Sequence, residues 1–212
     1  MVISFIVIVA EFSTAFGAQP TSLSKPVKTF DVRPASAICR HLDTPCGIEM
    51  AAGDVDLETS SSFVAMKGKA TGREALDELT HRFPKYVWVL ENGVINILPK
   101  DENRMLLNGK PVLELSIQGL DLNGVRTNVA AIKACRAAGL DCLPSGSAGG
   151  THQHPKLNLH LANTTLREAL NSIVRADSKA AWRFLYDPRS KHYVVFTNDW
   201  GRETPLKSKP LR

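Results

Sequence analysis

The chain predicts an α+β fold made of two tandem βαββαββ units, each with two helices packed on small mixed sheets. Three observations carry that prediction. Thr-x-Arg-Glu-Ala-Leu occurs twice, from Thr71 and from Thr165, and in each copy a tryptophan, Trp88 or Trp182, follows the leucine by 12 residues (88 − 76 and 182 − 170). Two cysteine pairs, Cys39 with Cys46 and Cys135 with Cys142, stand 96 residues apart (135 − 39 and 142 − 46). The helix starts and the tryptophans stand 94 apart (165 − 71 and 182 − 88), so four markers at nearly constant offset describe one unit written twice, with a small indel between the cysteines and the second helix.

Each element follows from a local pattern. "VKTFDV" alternates as a first strand, and "PVLELSIQGLDL" reads as its longer counterpart. Ala35, Ile38, Cys39 and Leu42 fall on one helical face behind Pro34, and Ala131, Ala134, Cys135 and Ala138 repeat that stripe before Gly139, a natural helix stop. "GIEM" and "CLP" are expected as second strands, "FVAMKGK" and "LNLHLAN" as third strands. Thr71 with Glu74, and Thr165 with Glu168, have the T-x-x-E spacing of a capping box, in which hydroxyl and carboxylate each satisfy a backbone N–H. Ala75, Leu76, Leu79 and Phe83 then line one helix, and Ala169, Leu170, Ile173 and Val174 the other.

A hairpin closes each unit. In "VWVLENGVINIL" the pair Asn92-Gly93 suits a two-residue type I′ turn, a register that sets Leu90 opposite Ile95 and Trp88 opposite Ile97. In the second copy "DPRS" turns between the strand begun by Trp182 and Phe184 and the returning "YVVF". Both tryptophans are expected in the core, with ligand stacking as the alternative. The units are placed at residues 25–100 and 108–200, folding separately, with the break between Pro99 and Pro111.

The flanks and the cysteines bear on compartment. Val2 to Ala10 is an apolar run of signal-peptide length, and Ala15-Phe16-Gly17 offers a cleavage site, so residues 1–17 are read as a signal peptide. The alternative is a membrane anchor or a buried strand. Residues 201–212, with "PLKSKPLR", read as a disordered basic tail, and no segment after the signal is apolar enough to span a membrane. Six residues separate the cysteines of each pair, wider than the usual zinc spacing, and an even number in an exported chain favours disulfides Cys39–Cys46 and Cys135–Cys142 over metal. A periplasmic or secreted location follows. The net charge of +5 comes with no basic stripe interleaved with aromatics, which argues against a nucleic-acid partner.

The order βαββαββ, with a Leu-rich third strand feeding "LREAL" and an "NGVINI" hairpin, resembles the short N-terminal domain shared by secretins and TonB-dependent receptors. The resemblance covers about residues 28–100 and 112–200, and the paired cysteines depart from the family pattern. It implies a non-catalytic cell-envelope module that docks an envelope protein or its own copies, with no cofactor. It carries neither pore formation nor transport with it.

Candidate chemistry is sparse. His152, His154 and His160 crowd "THQHPKLNLH", and a metal-binding protein or metal-dependent enzyme built on them is the alternative function; a polar linker plus one exposed strand histidine is the plainer reading. Asp54, Asp56 and Glu58 in "GDVDLE" lack calcium-loop spacing, and Ser147 near His152 sits in a glycine-rich connector ill suited to holding a nucleophile. Protein–protein contact through an exposed sheet edge is therefore expected, with "LELSIQ" and the hairpin strands as candidate edges.

Overall fold

The computed structural model describes residues 21–24, 26–27, 39, 42–51, 54, 70–144, 155–178, 180–187 and 189–199. The expected signal peptide, the basic tail, most of "VKTFDV", Ala35, Ile38, "FVAMKGK", Asp56, Glu58, Ser147, His152 and His154 lie outside these residues. The fold is α+β. In the first segment β1 (Pro26–Val27), β2 (Cys46–Glu49), β3 (Ala70–Thr71), helix α1 (Gly72–Arg82), β4 (Tyr86–Glu91) and β5 (Val94–Pro99) follow one another. A short hairpin, β6 (Leu106–Leu107) and β7 (Lys110–Pro111), connects them to the second segment. There β8 (Ser116–Asp121), β9 (Val125–Arg126), α2 (Thr127–Ala137), β10 (Cys142–Pro144), β11 (Lys156–Leu157), β12 (His160–Thr165), α3 (Leu166–Asp177), β13 (Ala180–Asp187) and β14 (His192–Asp199) succeed each other.

Where two small sheets were expected, the hairpins and second strands of both segments join in one six-stranded sheet, ordered β10-β14-β13-β2-β5-β4. Each segment supplies three strands in the same order. β2 runs parallel to β5 and β5 antiparallel to β4; β10 runs parallel to β14 and β14 antiparallel to β13. The join is β13 on β2, in parallel, with Trp182 opposite Gly47 and Phe184 opposite Glu49. Separate units would leave both strands as unpaired edges, and pairing them satisfies their backbone groups.

Side chains alternate across this sheet, and each face has its own core. Ile95, Ile97, Cys46, Ile48 and Ala181 pack with Leu76 and Leu79 of α1. Val94, Leu98, Trp182 and Phe184 pack with Leu166, Leu170 and Ile173 of α3 and with Ala131 and Ala134 of α2. The helices of the two segments thus cover opposite faces, and the second strand triplet runs opposite to the first. Passing from one triplet to the next is a half-turn about an axis across the strands plus a step along it.

The local signals act as their chemistry requires. Thr71 and Thr165 cap α1 and α3 in reciprocal boxes with Glu74 and Glu168. Asn92 and Gly93 adopt φ of 49° and 80°, and the hairpin sets Leu90 on Ile95 and Trp88 on Ile97. Cysteines Cys39 and Cys46 are joined, as are Cys135 and Cys142, with Cα atoms 6.0 and 6.2 Å apart, so each bridge ties a helical residue to the first residue of β2 or β10.

Two strands differ from expectation. "PVLELSIQGLDL" is broken: Val112–Glu114 is a 3-10 turn, and β8 begins only at Ser116. Val112 and Leu113 are both buried, which adjacent residues of a half-exposed strand cannot be. "LNLHLAN" is split between β11 on β9 and β12 on β8, where Leu122 to Gly124 bends the opposing chain and Asn158 accepts the Gly124 N–H at 3.3 Å.

The tryptophans also differ. Trp182 is fully buried and donates to Asn171 at 2.9 Å, whereas Trp88, on an edge strand, is only half-buried. Trp182→Ala is expected to cost about 3–5 kcal/mol, because it empties a core site and strands the Asn171 carbonyl. Trp88→Ala should cost about 1–2 kcal/mol. Urea unfolding of both variants with disulfides intact checks the order; equal losses would mean that the two rings are equally embedded.

Candidate interaction surface

The six-stranded sheet ends in β4 on one side and β10 on the other, and backbone geometry decides what each offers. The type I′ turn makes Glu91 and Val94 a hydrogen-bonded pair, so Val87, Val89 and Glu91 direct their backbone groups to β5. Lys100 N–H on the Lys85 carbonyl, at 2.7 Å, continues the same parity. The N–H and C=O groups of Trp88 and Leu90 therefore face away from the sheet. In β10 the Asp141 carbonyl accepts from Tyr193 at 3.1 Å, which turns Cys142 and Pro144 outward. Pro144 has no N–H to give, and the Cys142 carbonyl accepts from Arg136 Nη2 at 3.5 Å. Among the described residues one edge is blunted and the other has no strand paired on its outer side.

The open edge and the internal junction carry matching side chains. At the junction, the Trp182 indole lies against Gly47, where a Cβ would overlap the ring, and its Nε1 is held by Asn171 of α3. At the edge, Trp88 Nε1 donates to Asp77 of α1 at 2.8 Å. Asp77 and Asn171 stand 94 residues apart, as the tryptophans do (171 − 77), so each indole is anchored from the same place on the preceding helix. Arg73 lies over the Trp88 ring at 5.3 Å. Its counterpart at the same offset, Arg167, instead reaches carboxylates, Glu114 at 3.1 Å and Glu91 at 3.5 Å.

Those carboxylates belong to a charge cluster between β2, β4 and the second segment. Arg104, from the connector, pairs with Glu114 at 3.2 Å and approaches Glu49 of β2 at 3.6 Å. Glu49 has no exposed surface, and neither of its oxygens has a hydrogen bond among the described residues. Burial pushes its carboxyl up to about 7, against the opposing pull of Arg104 and Arg167. Asn96 of β5 lies buried beside it in the same face, its amide donating to the Val94 carbonyl at 3.3 Å. A carboxyl near neutrality is the kind of group that serves acid–base catalysis, but this one is shut away from solvent and acts inside the junction.

Sequence reasoning missed this cluster, because Glu49, Glu91, Arg104, Glu114 and Arg167 come from five separate pieces of chain. The one legible signal was Glu49 in an otherwise apolar strand. The capping carboxyls of Glu74 and Glu168 lie below their ordinary range, each held first by a backbone N–H, from Thr71 and Thr165. His160, exposed at the start of β12, pairs in register with Asp121, and Asp54 accepts from the Tyr86 hydroxyl at 3.2 Å. Among the described residues no group of three His, Cys, Asp or Glu is placed to hold a metal ion, and no helix is long and apolar enough to cross a membrane. No family model, no curated protein and no solved structure matches the chain.

Glu49 gives a pH dependence whose sign follows from its environment. Between its ordinary value of 4.5 and about 7 the folded protein keeps a proton that the unfolded chain has released. Stability is then greatest at the acid end of that window and falls by about 3 kcal/mol as pH rises through it, levelling above. Glu49→Gln should match the native protein near pH 5 and exceed it near pH 8 in urea unfolding. A stability difference that stays constant between these two pH values would show that Glu49 titrates as an ordinary carboxyl.

Proposed function

We propose that this chain is an exported, non-catalytic protein of the cell envelope, acting in the periplasm through two modules like the short domain of secretins and TonB-dependent receptors, and that it works by protein–protein contact. The observation that carries the reading is the β4 edge, where among the described residues no strand pairs with the outward backbone groups of Trp88 and Leu90 beside a half-buried indole. Such an edge is a template for a strand from another chain, with main-chain bonds supplying affinity and side-chain pockets supplying choice. Two disulfides are consistent with an oxidising compartment outside the cytoplasm. Of the candidate edges in the sequence, the hairpin strand β4 is favoured over "LELSIQ", since Leu113 and Glu114 belong to a 3-10 turn and only Ser116 to Gln118 of that stretch are strand, whereas β4 is extended throughout and carries the anchored Trp88.

Photo-crosslinking from Val87, an exposed position on β4, in the native envelope should trap a protein partner. Leu90→Pro should abolish the crosslink because it removes an N–H that points away from the ladder, and Leu90→Ala, which loses the same packing on Ile95 but keeps the N–H, should retain it. A crosslink that survives Leu90→Pro in the folded protein, or that is lost equally in Leu90→Ala, would remove β4 strand pairing from the mechanism.

A further inference from the structure

The chain contains its own example of how an edge like β4 is filled. β13 is the counterpart of β4, and the strand that fills it is β2, whose Gly47-Ile48-Glu49 sits opposite Trp182, Arg183 and Phe184. Three features of that seat recur at the free edge with the same 94-residue offset: Trp88 for Trp182, Asp77 for Asn171, and Arg73 for Arg167. We propose that the β4 edge receives a parallel strand of another protein that places glycine opposite Trp88 and an acidic residue two positions further on. This inference rests on the protein-binding reading and names the chemistry of its partner.

Each requirement has a physical cause. Glycine is needed because the indole, pinned through Nε1, lies where a Cβ of the opposing residue would stand, as Gly47 shows against Trp182. Parallel direction follows from the β13–β2 ladder, in which the Met50 N–H bonds the Phe184 carbonyl at 2.8 Å; Leu90 presents the corresponding carbonyl. The acidic residue follows from arginine. Arg73 of α1 rests on the partly exposed Trp88 ring, beside the position that the carboxylate of the incoming strand would take, and at this outer edge the carboxylate keeps the contact with solvent that buried Glu49 has lost.

A second copy of the chain does not meet these requirements. The strand equivalent to β2 is β10, offered at the opposite edge in the right direction for endless head-to-tail addition. It carries Leu143 where β2 has Gly47 and Pro144 where β2 has Ile48, at the same 96-residue offset as the cysteines. Leu143 would overlap the indole, and Pro144 lacks the N–H that the ladder needs. The repeat therefore ends its own sheet at β10 and leaves β4 for a different chain.

The test uses the full chain and a fluorescein-labelled peptide of Thr44–Ala51 with Cys46→Ser, read by anisotropy. The peptide should bind, and Leu90→Pro in the protein should abolish binding, which distinguishes the β4 edge from displacement of β2. Replacing the peptide's glycine with leucine should weaken binding by at least about tenfold. Arg73→Glu should weaken it about threefold to fivefold, and a peptide with arginine in place of its glutamate should recover that loss. No binding of the peptide overturns the proposal. So does equal binding of the leucine peptide with loss on Leu90→Pro, although the edge itself would then stand as a strand receptor. A homodimer that dissociates on Leu90→Pro in sedimentation equilibrium would overturn it in favour of a second copy.

Discussion

The parallel pairing of β13 with β2 is the constraint on which the rest of the structure depends. It is held by an indole against a glycine: Trp182 lies where any side chain at position 47 would stand, and Asn171 fixes the ring in that place. Because the ladder is parallel and the segments are related by a half-turn, one continuous sheet presents each face to the helices of a different segment. Val94 and Leu98 face the second core although they belong to the first hairpin, and Ala181 faces the first although it belongs to the second. Opening this one ladder would remove Ala181 from the core under the first helix and Val94 and Leu98 from the core of the second segment.

The same pairing traps Glu49. A carboxylate with a long contact to Arg104 and no hydrogen bond among the described residues gains little from burial, and replacing such groups with apolar ones often stabilises a protein. What the cluster supplies is position. Arg104 comes from the connector, Glu114 from the turn before β8, Arg167 from the first turn of α3 and Glu91 from the tip of the first hairpin. Charges that are satisfied only in one arrangement favour that arrangement of connector, hairpin and helix over others of similar hydrophobic content.

The two outer edges of the sheet differ in a few residues. Identical units joined by a half-turn and a step would add without end. Proline at 144, leucine at 143 and the Arg136 side chain over the Cys142 carbonyl blunt one edge, while β4 keeps its outward N–H groups and its anchored tryptophan. The asymmetry between otherwise matching positions is a property of a few residues, and it leaves outward N–H groups on one edge and a proline on the other.

Features completed by neighbours in the chain were legible from the residues alone. The capping boxes at Thr71 and Thr165, the Asn92-Gly93 turn and the hairpin register through Leu90 and Ile95 each need only contacts a few residues apart, so propensity and spacing determine them. The two helix faces were legible for the same reason. The break of "PVLELSIQGLDL" was not, since burial of both Val112 and Leu113 depends on where the core lies. Nor was the half-exposure of Trp88, because two tryptophans with the same local pattern differ only in whether a strand covers them. The shared sheet, the glycine beneath Trp182 and the five-part charge cluster were decided by tertiary structure, since each depends on residues far apart in sequence whose approach no local pattern encodes.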